Sequence, residues 1–146
     1  MLKYLVPMLV LVPAVATAEG VPLRGGRWDV TSTVVEATLP GVPRFLVGMM
    51  KGKSKAEHKR LSAGQGLEAL IAPDPKAKCR VDSQRVADGR YAQSLSCPQK
   101  SGGPLQVVRS GTYDATGFVG RATISGTSPK GAMTMVLNQR AARVGD

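Results

Sequence analysis

The residues able to support chemistry are few: one histidine (His58), two cysteines (Cys79 and Cys97), and ten Asp and Glu against twenty Lys and Arg. A serine–histidine–carboxylate device needs its imidazole held against a serine and oriented by an acid. His58 follows Glu57 inside the basic run KGKSKAEHKR, between glycines at 52 and 64, and nothing there predicts a rigid setting. A solvated histidine is the expectation. A metal centre would need thiolates or a cluster of histidines and acids, and neither is legible. The carboxylates are scattered: Asp29 and Glu36 fall on one apolar run, while Asp88 and Asp114 sit at turn signals, where such side chains bond their own backbone. Met133 and Met135, two apart, suit a packed strand face better than a copper site. The chain therefore reads as non-enzymatic, with no catalytic residue, metal or cofactor expected.

The cysteines suggest a structural role instead. They bracket KCRVDSQRVADGRYAQSLSC, two alternating runs folded back at Asp88-Gly89. Asp-Gly between such runs is a strong hairpin signal, because glycine takes positive φ without a Cβ clash. A three-residue loop over 87–89 pairs Val86 with Arg90, Arg85 with Tyr91, Val81 with Leu95 and Cys79 with Cys97. A two-residue loop shifts the register by one and sets Arg80 opposite Cys97. The expectation is a Cys79–Cys97 disulfide; the bland alternative is two unrelated buried thiols.

Residues 1–18, MLKYLVPMLVLVPAVATA, place one lysine before a short apolar run and end in a small-x-small step. This is the layout of a secretory signal peptide, with cleavage expected after Ala18. The run is short for a span of roughly 20 residues, and Pro7 and Pro13 interrupt it. An exported product in the periplasm or outside the cell is in an oxidising setting that permits the disulfide. The remainder, residues 19–146, suits one domain with one core.

Within that domain, residues 27–38 alternate, with Trp28, Val30, Ser32 and Val34 on one face. β-branched residues favour a strand here, and Pro40 and Pro43 end it. Residues 44–73 form an irregular basic insertion, with an apolar patch (Phe45, Leu46, Val47, Met49, Met50) ahead of the lysines. Short helical pieces are expected around 54–61 and 67–72. Strands are then expected over 105–113, 118–126 and 132–143. Pairing Tyr113 with Phe118 puts Val107 across from Ile124 and Gly111 across from Gly120, a gap that permits sharp coiling. The predicted fold is mainly all-β: a curved antiparallel meander sheet or partial barrel of about six strands, with a short helical insertion.

Several landmarks coincide: Gly26-Arg27-Trp28-Asp29-Val30-Thr31, then Leu39-Pro40-Gly41-Val42-Pro43, the Lys-Cys and Ser-Cys hairpin, Gly111-Thr112-Tyr113, and the closing Arg143-Val144-Gly145-Asp146. Together they resemble the bacterial envelope family catalogued as domain of unknown function 3617. That resemblance implies an exported β-rich protein and lends no catalytic residues. Many members carry a second cysteine pair; here Arg60 precedes Leu61-Ser62 and the chain stops at Asp146, which fits loss of a single bridge. The insertion is then expected to be less tethered than in relatives. The Gly-x-Trp opening is also similar to that of lipocalin-like barrels, which implies a late basic residue, Arg140 or Arg143, over Trp28.

The formal charge of +10 makes an anionic partner natural. The most basic run holds no aromatic residue, so nucleic acid is not expected. Two binding surfaces are expected. One is a concave face lined by Trp28, Val30, Val81, Leu95, Val107, Phe118 and Ile124, taking an apolar small molecule or an envelope partner. The other is a contact for an anionic membrane or acidic surface through Phe45, Met49, Met50, Lys51, Lys53, Lys55, Lys59 and Arg60. The bland alternative for the second is a solvated excursion tucked onto the sheet.

Overall fold

The alternating run that opens the domain forms strand β1 (Gly26–Thr38), the strand on which the insertion and the C-terminal strand both converge. The structure is a computed structural model and describes residues 23–146; the expected leader lies outside them. After β1 come helix α1 (Arg44–Met50), strand β2 (Ser54–Leu61), helix α2 (Leu67–Ile71) and a 3-10 turn (Pro75–Ala77). The chain then runs through five strands: β3 (Arg80–Ala87), β4 (Arg90–Cys97), β5 (Leu105–Asp114), β6 (Gly117–Ser128) and β7 (Gly131–Gly145). All seven strands form one antiparallel sheet in the order β2-β1-β7-β6-β5-β4-β3. The edge strands β2 and β3 do not pair, so the sheet stays open.

Strand β2 corrects the helical piece expected over 54–61. Its Ala, Glu, Lys and Arg residues are good helix formers, yet it pairs with β1 from Gly26↔Leu61 to Thr33↔Ser54. The turn into it is closed by Val34 N–H donating to the Lys53 carbonyl and Gly52 N–H donating to the Val34 carbonyl. Tertiary pairing overrides local propensity here. The sheet thus has seven strands rather than six, and the charges on β2 guard an edge against strand addition.

The hairpin corrects the expected turn and keeps its outcome. Asp88 (φ 55°) and Gly89 (φ 74°) are both left-handed, the signature of a two-residue type I′ turn. The pairs are therefore Ala87↔Arg90, Val86↔Tyr91 and Arg85↔Ala92. A bulge at Asp82 then restores Val81↔Leu95, and Cys79 and Cys97 are disulfide-bonded with Cα atoms 4.1 Å apart. The carboxylate of Asp82 accepts from the Ser96 hydroxyl and from Arg80 Nε, contacts that hold its charged form and lower its pKa.

Strands β5 and β6 pair in the expected register, with Tyr113↔Phe118, Val107↔Ile124 and Gly111↔Gly120. The facing glycines admit Tyr91 from the next strand. A Cβ at Gly120 would meet the Tyr91 hydroxyl, and one at Gly111 would lie 2.9 Å from its ring.

Register assigns every strand residue to one of two faces. Helix α2 lies on the face that carries Trp28, Val30, Ala141, Phe118, Tyr113 and Tyr91; Leu67, Leu70 and Ile71 complete that core. Each of these three side chains is almost fully enclosed, which contributes about 1.5–3 kcal/mol apiece. The Trp28 indole donates to the Arg24 carbonyl at 2.9 Å. Arg143, not Arg140, stands opposite Trp28, its Nε donating to the Gly25 carbonyl at 2.8 Å. The opposite face, which carries the exposed Val108 and Val119, is bare of α2.

Candidate functional site

Residues on the α2 face fall into three zones. The first is the aromatic core under α2. The second is a diagonal polar belt, and the third is an aliphatic shelf that α2 does not reach.

The belt begins where α2 ends. A helix leaves its last carbonyls without intrahelical partners, and three side chains reach those of α2. Lys59 Nζ donates to the Leu70 and Ala72 carbonyls, both at 2.9 Å. Gln93 Nε2 donates to the Ile71 carbonyl at 2.9 Å, and Arg109 Nη1 to the same atom at 3.1 Å. From there the belt crosses the sheet: Gln93 bonds Gln84 on β3, Arg109 Nε donates to Gln139 Oε1 on β7 at 2.9 Å, and Gln139 bonds Ser32 on β1 at 3.0 Å. Ala122, between Arg109 and Leu137 in register, leaves room for the arginine to cross β6.

Arg109 is 9 % exposed and Gln93 1 %. Burial pushes the pKa of Arg109 down, and burial likewise lowers that of Lys59. Among the described residues the ion pairs are Arg80–Asp82 and Arg143–Asp146, and His58 contacts Asp29. Arg109 is thus a buried cation whose hydrogen-bond partners are all neutral.

Beyond the belt, Val34, Leu137, Met135, Ile124 and Val107 lie on the same face, each half-buried. These five form the shelf.

The seven residues expected to line a binding face do share the α2 face, but in different zones. Trp28, Val30 and Phe118 are core residues under α2. Leu95 is buried beside the shelf, Val107 and Ile124 belong to it, and Val81 lies exposed on the edge strand. The basic segment is divided by strand alternation. Lys55 and Lys59 share the α2 face, whereas Arg60 shares the bare face with His58. Lys59 turns inward to α2 and is not a free surface cation. Phe45 (69 % exposed) and Met49 (60 %) project from α1, which buries no residue; Met50 is half-buried, and Lys51 and Lys53 are exposed.

His58 Nδ1 lies 2.6 Å from Asp29 Oδ1, so its acidic neighbour is Asp29 rather than Glu57. The imidazole is largely exposed, and among the described residues no serine is bonded to it. Nor do three His, Cys, Asp or Glu side chains gather there as a metal site would require.

Sequence reasoning missed the belt, although its signal was present. Arg109 is in phase with Val107, Gly111 and Tyr113; Gln93 is in phase with Tyr91 and Leu95; Gln139 is in phase with Leu137 and Ala141. A polar residue on an apolar phase was the clue. Sequence reasoning also passed over Arg85, Arg90 and Arg121, which, with the Arg140 expected near Trp28, are exposed on the bare face.

Fold and site together define an open antiparallel β domain, stapled by one disulfide, with a helix clamped over half of one face. Among the described residues no helix is long and apolar enough to cross a membrane. The chain belongs to the family of proteins of unknown function DUF3617, whose family model matches residues 23–146. No curated protein and no solved structure matches the chain.

Proposed function

We propose that the protein is an exported, non-enzymatic binding domain that takes an apolar small molecule, or an apolar segment of an envelope partner, on the shelf beyond α2. The observation that carries this reading is the division of the α2 face. The helix stops at the polar belt, and among the described residues Val34, Leu137, Met135, Ile124 and Val107 continue the apolar surface beyond it, each still partly exposed. Export to the periplasm or beyond is supported by the disulfide and by the leader-like residues 1–18. Native mass spectrometry of the purified folded protein, before and after solvent extraction, tests the binding. A bound mass that extraction removes, and that returns when an apolar probe is added, supports the reading. A protein that carries nothing and takes up no apolar probe overturns it.

A second reading is favoured by α1, whose exposed Phe45 and Met49 stand beside exposed Lys51 and Lys53. In it the segment from Phe45 to Arg60 contacts an anionic membrane surface. Sedimentation with vesicles of anionic phospholipid at low and high salt separates the two readings. Binding that needs the anionic lipid and is lost when Lys51, Lys53 and Lys55 are neutralised supports the second.

A further inference from the structure

The shelf ends at a charge. Val107 is two residues from Arg109 on β5, and Leu137 lies beside the Ala122 that Arg109 crosses. Arg109 spends Nε on Gln139 and Nη1 on the Ile71 carbonyl and, at 3.4 Å, on Gln93. Its other terminal nitrogen has no hydrogen bond among the described residues. Nor is that nitrogen sealed from solvent, since the buried side-chain atoms left without a partner are the Tyr91 and Tyr113 hydroxyls. That one terminal nitrogen is therefore left to donate, and α2 occupies the core side of the belt. A cation this buried is costly to keep without an anion in contact; the nearby carboxylate that supports its charge, Glu57 on β2, makes no ion pair with it. A charged guanidinium N–H is also a strong donor to carboxylate and phosphate oxygens.

We propose that Arg109 receives the head group of an anionic single-chain amphiphile, such as a fatty carboxylate, whose tail lies on Val107, Ile124, Met135, Leu137 and Val34. The inference rests on the shelf reading and adds the ligand's charge and direction. The head sits at the belt, and the tail runs away from α2 toward the β6–β7 turn. Of the bare-face arginines, Arg140 pairs with the exposed Val119, a single valine rather than a run of five aliphatic side chains. Lys59 does not compete for this role, because Nζ is engaged with two α2 carbonyls.

The test compares decanoate with decanol by calorimetry, below the concentration at which either aggregates. The unmodified protein is expected to bind decanoate roughly tenfold or more tightly than decanol, the size of a charged hydrogen bond. Arg109→Gln is expected to bind both alike, and Arg109→Lys to keep part of the preference. Equal affinities in the unmodified protein overturn the inference while leaving the shelf reading in place. A preference that survives in Arg109→Gln overturns it too. Failure to bind either probe removes the shelf reading and this inference with it. The comparison on the unmodified protein stands even if Arg109→Gln loosens α2.

Discussion

Reducing the Cys79–Cys97 bond should cost the domain much of its margin. The bridge joins residues 18 apart in sequence, and closing a loop of that size removes chain entropy from the unfolded state worth about 3 kcal/mol at 25 °C. Domains of this kind are stable by about 5–15 kcal/mol, so the loss is large, and it should lower Tm by about 10 °C. It should also be uneven. Strand β3 is an edge strand hydrogen-bonded only to β4, and the bridge ties its start to the end of β4. Without it, amide exchange should accelerate first in Arg80–Ala87, while β5, β6 and β7 keep their protection up to global unfolding. Thermal melts by circular dichroism with and without reductant read the first effect, and a Cys79→Ser/Cys97→Ser double variant repeats it without chemistry. A shift under about 2 °C in both would refute the reasoning, as would faster exchange spread evenly over the sheet.

Three further outcomes are expected from particular side chains. Leu70→Ala, at the centre of the α2 contact, should destabilise by about 2–5 kcal/mol in urea unfolding, whereas a solvated helix would lose far less. Gly120→Ala would drive a methyl against the Tyr91 hydroxyl and the Ser110 carbonyl, costing about 1–3 kcal/mol; an unchanged melt would mean that Tyr91 does not fill the glycine gap. Asp82 has a lowered folded pKa because it accepts from Ser96 and Arg80. Its contribution should be present above the ordinary carboxylate value and lost as pH falls through the folded value. Melts of the unmodified protein and Asp82→Asn should therefore converge in strong acid and separate near neutrality, and a pH-independent difference would contradict this.

How much of this was legible depended on whether contacts were local. The β5–β6 register followed from Tyr113 and Phe118 flanking a tight turn, where Asp114 accepts from the Thr116 N–H and hydroxyl. Asp-Gly located the β3–β4 hairpin but left its loop length open, and the bulge at Asp82 hid the difference, since either route ends at Val81↔Leu95. Strand β2 was not legible because its residues favour a helix in isolation, and its partner is chosen across an intervening helix. The belt was half legible. Alternation places Arg109, Gln93 and Gln139 on the apolar phase, but only the folded chain shows them meeting at the end of a five-residue helix.

The most direct test of the divided face is a methyl-resolved NMR titration of the folded protein with decanoate. The account predicts that the methyl signals of Val107, Ile124, Met135, Leu137 and Val34 shift together and saturate, while those of Leu67, Leu70 and Ile71 in the core stay in place. Shifts confined to Val108, Val119 and Val144 on the exposed surfaces, or to the α2 residues, would contradict it.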